Sequence, residues 1–362
     1  MGKLKIIHTL YSGLGGHGSV VFPLIENGFA SKYDHSIVFY GVEKTTQSYH
    51  KKCSDLKLNH FSIIKKPRQY LKAFSEFKKI LNNTKPSVII VHNSELIVPA
   101  ARFSRKNKDC TVFYVEHQDS VNKTKLQNFL SIYALKKATG IVCLTDTDKK
   151  ELLEKKLSKT PIQVIPNGVR LNTGYKRDYS RNTIIGMASR MTPTKDHSLL
   201  LIAFKNIVRD YPKITLEIAG DGQTFSAVKA LAHELKISEN IVFHGMLSDK
   251  EMILFYQKIT INVLATTSET MSTAILQAMA SGLPVITSNI VNNKRIIENG
   301  KNGWLYKNKD ADDLTEKLRY AINNPKAANK IGMTAQKHIE LNYSVENMIQ
   351  LYSEFIFNEK SN

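Results

Sequence analysis

The residues with the clearest chemical potential lie in one stretch, Ser268 to Gly282, which reads SETMSTAILQAMASG. Glu269 follows an apolar segment, Ile259 to Ala265, that predicts a buried strand. A short helix is predicted from about Met271 to Ala280, because Gly282 suits the position just after a helix end. A carboxylate is therefore expected beside the free N–H groups of a helix N-terminus, an arrangement that can bind phosphates and sugar hydroxyls.

This stretch resembles the donor-site signature of the retaining nucleotide-sugar glycosyltransferases of group 1, or family 4, which have the two-domain GT-B fold. The family has two glutamates separated by eight positions, then a turn like Ala-Met-Ala-Gly and a Pro-Val-Ile strand. Glu269 stands at the first glutamate, Gln277 stands at the second, and Ala278 to Ile286 fits the remainder closely. The resemblance implies that Glu269 holds hydroxyls of the donor sugar.

The nucleotide part of the donor has its own expected contacts. Gln277 departs from the family, whose second glutamate accepts hydrogen bonds from the ribose hydroxyls, so we expect weaker donor binding in a still active enzyme. His244 and Gly245 follow the predicted strand Ile241 to Phe243, whose end lies near the nucleobase in the family. The phosphates are expected to bind the backbone N–H groups of Met271, Ser272 and Thr273.

Two cations occur in the segment SRMTPTKDH, between a predicted strand, Thr183 to Ala188, and a predicted helix, Ser198 to Asp210. The segment resembles the Gly-Arg…Lys-Gly motif of the same family, with Arg190 and Lys195 at the positions that hold the donor diphosphate. A guanidinium binds phosphate oxygens in pairs and an ammonium adds a point charge, so together they would neutralise a departing diphosphate. Asp196 replaces the usual glycine, which predicts a different cap or a tighter loop.

The elements that must position these residues alternate between strand and helix, beginning with Leu4 to Leu10, which predicts doubly wound α/β domains. The length of 362 residues predicts two of them. We place an acceptor-side Rossmann-like domain at 1–171, a donor domain at 172–343 and a C-terminal helix at 344–362. The resemblance implies that the two domains face a central cleft and that the last helix crosses back to the first domain.

The first domain opens with a glycine-rich loop that permits two interpretations. Gly13, Gly15 and Gly18 satisfy G-x-G-x-x-G, and Glu43 after the next strand could bind a ribose, so a dinucleotide-dependent oxidoreductase is an alternative. The pattern alone is weak, because few residues define it.

The glycosyltransferase family also has a Gly-Gly loop here, and its acceptor-side residues would be Gly15, Gly16 and His17. His117 follows the predicted strand Cys110 to Glu116, at the strand end where α/β sheets place ligands. In the family a histidine at this position lies close to the reacting centre of the donor sugar, which makes His117 a candidate catalytic residue.

The charge and composition of the sequence indicate which other partners the protein can bind and where it works. Residues 1–172 carry 28 Lys and Arg against 13 Asp and Glu, so most of the net charge of +19 lies in the first half. Such a surface can contact anionic lipid or a diphosphate-linked acceptor, and no nucleic-acid-binding motif is present in the sequence. No apolar run is long enough for a membrane helix, and three scattered cysteines indicate a reducing cytoplasm.

We expect neither a cofactor nor a metal. Asp146 to Asp148 and Asp310 to Asp312 superficially resemble a metal-binding Asp-x-Asp motif, but both are predicted at helix starts, where acids interact favourably with the helix dipole. The predicted function is retaining sugar transfer, of hexosyl type, to a glycan or lipid-linked hydroxyl in cell-envelope polysaccharide synthesis, by a cytoplasmic enzyme that contacts the membrane peripherally. A non-catalytic nucleotide-sugar-binding subunit is the second alternative, since Gln277 and Asp196 depart from the family.

Overall fold

The computed structural model describes residues 3–13, 16–29, 32–66, 69–117, 124–154, 160–172 and 183–357. The chain divides into two compact units, here called unit 1 (Met1–Gly168 with Val345–Asn362) and unit 2 (Val169–Ser344). Each unit has its own hydrophobic core. None of the helices in the described ranges combines the length and the hydropathy that crossing a membrane requires.

Unit 1 is built on a parallel sheet whose seven described strands lie in the order β3-β2-β1-β4-β5-β6-β7. The strands are β1 (Lys5–Tyr11), β2 (Asp34–Gly41), β3 (Asn59–Ile64), β4 (Val88–Val91), β5 (Thr111–Glu116), β6 (Gly140–Cys143) and β7 (Ile162–Val164). The described α-helices that lie between β1 and β7 in the chain are α1 (Gly16–Leu24), α2 (Gln47–Asp55), α3 (Tyr70–Thr84), α4 (Ile97–Lys106), α5 (Lys125–Lys137) and α6 (Asp146–Glu154). The apolar sequence VIIV of β4 is fully buried, as parallel sheets covered by helices require.

Unit 2 contains a second parallel sheet, with six described strands in the order β10-β9-β8-β11-β12-β13. The strands are β8 (Ile184–Ala188), β9 (Thr215–Ala219), β10 (Ile241–Gly245), β11 (Ile261–Leu264), β12 (Val285–Ser288) and β13 (Trp304–Tyr306). The helices are α7 (His197–Asp210), α8 (Phe225–Glu234), α9 (Asp249–Lys258), α10 (Thr273–Ala280), α11 (Asn293–Ile296), α12 (Ala311–Asn323) and α13 (Pro325–Asn342). The prediction of two Rossmann-like α/β domains is confirmed.

The last helix, α14 (Val345–Phe357), packs within unit 1. The ring of Phe357 stacks on Tyr33 at 4.2 Å and meets Phe29 edge-on at 5.5 Å. Phe355 packs edge-on against Phe113 of β5 at 5.5 Å. Aromatic burial of this kind attaches the C-terminal segment to the first sheet rather than to the unit that precedes it in the chain.

The strand order reverses at one place in each sheet. In unit 1, β1 lies between β2 and β4, and in unit 2, β8 lies between β9 and β11. Loops at the carboxyl ends of strands beside such a reversal form the crevice in which open α/β sheets bind ligands. In unit 2 the loops with Arg190, Lys195 and Glu269 follow β8 and β11, and in unit 1 the glycine-rich loop follows β1, whereas His117 follows β5 and His244 belongs to β10.

Candidate functional site

Two loops of unit 2 are hydrogen-bonded to each other, one after β8 and one after β11. The carbonyl of Thr194 accepts from Thr266 Oγ1 at 3.0 Å and from the backbone N–H of Thr267 at 2.9 Å. The backbone N–H of Asp196 donates to the carbonyl of Ala265 at 3.0 Å. Because β8 and β11 are neighbours in the sheet, these contacts fix the first loop against the second.

Lys195 and Glu269 form an ion pair between the two loops, in which Lys195 Nζ donates to Glu269 Oε1. The two side chains are only 14% and 12% exposed. Asn292 Nδ2 donates to the backbone carbonyl of Glu269 and anchors the second loop. Arg190 lies in the first loop and is exposed. The structure therefore brings together the lysine and the first glutamate of the predicted donor site.

The pKa of Lys195 depends on opposing electrostatic effects. Burial lowers the pKa of Lys195 to about 7, and the positive charge of Arg190 acts in the same direction. The Glu269 carboxylate opposes both effects, because it stabilises the protonated ammonium. A diphosphate bound beside this ammonium would replace the single charge of Glu269 with a larger counter-charge and hold the proton in place.

Asp196 and His197 explain how the first loop keeps its shape. The Asp196 side chain accepts from the backbone N–H of Leu199 at 3.1 Å and so caps α7, which is the different cap that its replacement of glycine predicts. His197 is buried, and its Nδ1 lies 2.9 Å from the carbonyl of Lys195. Since a carbonyl only accepts, this nitrogen carries the proton, and Nε2 accepts from the Ser189 hydroxyl at 3.3 Å. No sequence pattern identified His197.

A tight turn after β9 supports the backbone on either side of Arg190. The N–H of Met191 donates to the carbonyl of Asp221 at 2.8 Å. Gly220 has φ +134°, and a Cβ built there would lie 1.9 Å from the carbonyl oxygen of Ser189. Only glycine allows the two backbones to come this close. Gly220 therefore fixes the position of the backbone at Ser189, immediately before Arg190.

Helix α10 begins at Thr273, two residues later than predicted, because Ser272 takes the N-cap position. The Ser272 hydroxyl accepts from the N–H of Ile275 at 3.4 Å, whereas the N–H groups of Thr273 and Ala274 have no partner within the helix. Met271 lies in the loop before the cap, so its N–H does not belong to the helix terminus. Gln277 lies one turn into the helix and is half-buried.

His244 and Gly245 close the carboxyl end of β10. His244 Nε2 lies 3.0 Å from Oε2 of Glu217, a carboxylate that is buried in β9 and also contacts Lys258 Nζ at 2.5 Å. Gly245 has φ +66° and accepts at its carbonyl from the N–H of Gly220 at 2.7 Å. Glu217 is a partner of the site that the sequence did not reveal.

The candidate residues of unit 1 include a group of histidines. Gly16 is the first residue of α1, and Gly15 lies outside the described residues. His17 and His117 stack with their ring centroids 4.2 Å apart. His117 Nε2 lies 2.8 Å from Nδ1 of His92, which follows β4. His117 therefore has two imidazole neighbours at the strand reversal.

Packing accounts for one glycine of the G-x-G-x-x-G pattern. A Cβ on Gly18 would lie 2.4 Å from Oη of the buried Tyr49, so this neighbour favours glycine whether or not a dinucleotide binds. A Cβ on Gly13 would lie 2.0 Å from Glu43 Oε2, but the Glu43 side chain is exposed and can turn away, so this contact does not require glycine.

The two Asp-x-Asp pairs interact with helix N-termini. Asp148 accepts from the Thr145 hydroxyl at 2.7 Å at the start of α6. Asp310 accepts from the N–H groups of Asp312 and Asp313 at 3.1 and 3.0 Å and caps α12. Among the residues that the structure describes, no group of three or more His, Cys, Asp or Glu is arranged to hold a metal ion.

Comparison with known families matches both units. Residues 176–338 match the family described as glycosyl transferases group 1, and residues 14–173 match the family described as Glycosyltransferase Family 4. Among solved structures, Anabaena HepE in complex with UDP-glucose has a TM-score of 0.83 at 15% identity, over 98% of this chain and 100% of that one. The lipopolysaccharide outer core galactosyltransferase WaaB has a TM-score of 0.72 at 20% identity, over 99% of each chain.

The chain covers only part of the length of some of the curated glycosyltransferases that it resembles. The poly(ribitol-phosphate) alpha-N-acetylglucosaminyltransferase of Staphylococcus aureus is 23% identical over 75% of this chain, which spans 56% of that protein. The UDP-Gal:alpha-D-GlcNAc-diphosphoundecaprenol alpha-1,3-galactosyltransferase of Escherichia coli is 26% identical over 80% of this chain and 81% of that one. With two Rossmann-like units and family matches across both, the chain belongs to the group 1, family 4 glycosyltransferases of GT-B fold.

Proposed function

We propose that the chain transfers a hexose-type sugar from a nucleotide sugar to a hydroxyl of a glycan or lipid-linked acceptor, with retention at the anomeric carbon, during cell-envelope polysaccharide synthesis. The observation that carries the proposal is the buried Lys195–Glu269 pair, with the exposed Arg190 in the same loop as Lys195. The activities of the Staphylococcus aureus and Escherichia coli relatives support the acceptor class.

In the proposed reaction Arg190 and Lys195 bind the diphosphate of the donor. Glu269, released from Lys195, accepts hydrogen bonds from hydroxyls of the donor sugar. The bond between the anomeric carbon and the phosphate oxygen breaks, and the two cations stabilise the charge that develops on the leaving diphosphate. The acceptor oxygen attacks from the same face, and its proton passes to the departing phosphate oxygen. The chemistry needs no cofactor and no metal, because the side chains supply the positive charge.

A thermal-shift panel tests the donor site. UDP, GDP, ADP, CMP, their sugar conjugates, NAD and FAD are added to wild type and Arg190→Ala, with EDTA or with magnesium. At 100 times its Kd a ligand stabilises the protein by about 2.7 kcal/mol. We expect a metal-independent shift with one nucleotide family, absent in the variant. A shift with NAD or FAD alone would support the oxidoreductase, and wild type that binds nucleotide sugar without transferring it would support the non-catalytic alternative.

The pH dependence of donor binding follows from Lys195. Its pKa of about 7 in the free protein should rise when a diphosphate binds, so the bound state takes up a proton above pH 7. The Kd of the nucleotide sugar should then increase about tenfold from pH 6 to pH 8. Calorimetry in buffers of different ionisation enthalpy measures both the Kd and the proton uptake. Lys195→Arg stays charged and should bind with a flat profile; a flat profile in wild type would refute the assignment.

Gln277→Glu should restore the charged acceptor for the ribose. Charged hydrogen bonds contribute about 1.5–3 kcal/mol and neutral ones about 0.5–1.5 kcal/mol, so the donor KM should fall about tenfold while kcat stays nearly constant. Gln257→Glu, a substitution of the same type at a half-buried helical position of unit 2, is the matched control. A large change in kcat at constant KM would contradict a role confined to donor binding.

We also propose that a surface of unit 1 contacts anionic membrane lipids on the cytoplasmic side. Val42 follows β2, Ile64 is the last residue of β3 and Leu71 is the second residue of α3. Their side chains are 61%, 46% and 85% exposed, respectively. Gly41 and Ile64 are paired in register, and the exposed Lys44, Lys66 and Lys72 stand within two residues of these apolar positions in the chain. Apolar side chains among lysines suit an anionic lipid surface.

Vesicle sedimentation tests this surface. Wild type should bind vesicles containing phosphatidylglycerol more strongly than neutral vesicles, and added salt should weaken the binding. Leu71→Asp should reduce binding several-fold, because it removes apolar contact and adds repulsion. Leu153→Asp changes another exposed leucine of unit 1 and should have little effect. Equal binding by both variants, or none by wild type, would rule out the proposed surface.

A further inference from the structure

His92 and His117 form a hydrogen-bonded pair at the strand reversal of unit 1. The distance between His92 Nδ1 and His117 Nε2 is 2.8 Å. His92 is only 4% exposed, and its backbone N–H donates to the Thr9 hydroxyl at 3.2 Å, which fixes its position next to β1. The His17 ring stacks on the other ring of the pair at 4.2 Å. The pair is therefore held on several sides.

Both rings are neutral at physiological pH. Burial lowers the pKa of His92 and of His117 well below its usual range, and the neighbouring imidazoles lower it further. A hydrogen bond between two neutral imidazoles needs one N–H and one bare nitrogen. The pair thus has two possible arrangements, which differ in the ring that donates.

Burial distinguishes the two arrangements. If His117 donated, His92 would carry its proton on Nε2, a buried atom to which none of the described residues offers a hydrogen bond. A buried N–H without an acceptor is rarer and more costly than a bare acceptor nitrogen. The favoured arrangement places the proton of His92 on Nδ1, so that His92 donates and His117 Nε2 accepts.

From this geometry we propose that His92 is a positioning residue that holds His117 as the Nδ1–H tautomer. The inference rests on the proposed function and on the expectation, from the family resemblance, that His117 lies close to the reacting centre of the donor sugar. His117 then offers one fixed donor, Nδ1–H, to a hydroxyl or ether oxygen of that sugar. With Nε2 engaged by His92, His117 takes no proton from the acceptor hydroxyl, in agreement with transfer of that proton to the leaving phosphate.

The tautomers are measured directly by long-range ¹H–¹⁵N correlation spectra of the full chain labelled at histidine. We expect His92 and His117 to show the Nδ1–H pattern, although Nε2–H is the more common form in water. In His92→Phe, His117 should change to the Nε2–H pattern or to a mixture. An Nε2–H pattern for His117 in wild type would overturn the proposal, and this result does not depend on activity or on any variant folding.

Kinetics of matched variants connect the tautomer with the reaction. His117→Asn places an amide donor near the former Nδ1, whereas His117→Gln places it near the former Nε2, so the asparagine variant should retain at least about tenfold more kcat. His92→Phe should lower kcat about 10- to 100-fold, and His92→Asn, which keeps a donor, should recover most of it. Equal activity of the two His117 variants would overturn the proposed donor role.

His35→Phe is the control for the loss of a buried histidine. His35 Nδ1 lies 3.3 Å from His8 Nε2 in a second pair of unit 1. This variant should lower stability but leave the His117 tautomer and the kcat near wild type. If wild type shows the expected tautomers but no sugar transfer with any donor, the proposed function fails while the structural assignment stands. If transfer occurs with the other tautomer, only the present inference fails.

Discussion

Lys195→Ala should lower kcat/KM for sugar transfer about a thousandfold, equivalent to about 4 kcal/mol of transition-state stabilisation. The ammonium is held at the junction of two loops by Glu269 and by a hydrogen-bonded backbone, at the position proposed to contact the diphosphate. The truncation also leaves the Glu269 carboxylate without its cation, which lowers stability. Rates should therefore be measured well below the Tm of the variant.

Two comparisons make this result interpretable. Lys213→Ala removes an exposed lysine elsewhere in unit 2 and should leave kcat/KM unchanged. Lys195→Arg keeps the charge but changes its shape, so it should retain more activity than the alanine variant. Activity of Lys195→Ala within threefold of wild type would show that the diphosphate does not bind at this ammonium.

Gly220→Ala should lower the free energy of unfolding of unit 2 by about 3 kcal/mol or more. Its φ of +134° disfavours any residue with a Cβ, and that atom would lie 1.9 Å from the Ser189 carbonyl oxygen. The backbone fixes the position of the added Cβ, and the Ser189 oxygen belongs to the backbone. The steric conflict is therefore relieved only by moving the turn away from Ser189. Nucleotide binding should weaken as well, because Arg190 follows Ser189 directly.

Gly300→Ala is the matched control, because Gly300 also has positive φ (+78°) but no atom lies within 4 Å of its added Cβ. It should cost only about 1–2 kcal/mol and leave nucleotide binding unchanged. Urea unfolding and the nucleotide Kd of both variants separate backbone strain from the close contact. Equal destabilisation by the two substitutions would mean that the contact with Ser189 relaxes at little cost.

Local sequence predicted much of the donor-side architecture. The apolar runs of β8 and β11 and the chain from Ser272 to Ala280 have signals that act over a few residues, so their types and approximate bounds were predictable. The contact between Lys195 and Glu269 was not, because 74 positions separate the two residues. It arises because β8 and β11 are neighbours in the sheet, although β9 and β10 lie between them in the chain.

Other features lacked a sequence signal or had one that was overlooked. Strand β3 (NHFSII) lies at a sheet edge and α2 is mostly polar, so neither produces a strong apolar pattern. Helix α5 starts with a capping box formed by Thr124 and Gln127, which is recognisable in the sequence. Buried polar partners such as His197 and Glu217 depend on tertiary neighbours and could not be found from local pattern.

The most direct test of the central claim is a crystal structure of the chain with the nucleoside diphosphate that gives the largest thermal shift. We predict that the diphosphate contacts the Arg190 guanidinium, Lys195 Nζ and the N-terminus of α10, with Glu269 separated from Lys195. The same Kd measured in solution for wild type and Arg190→Ala should confirm that the crystal site is the binding site. A diphosphate bound instead at the glycine-rich loop that follows β1 would contradict the account.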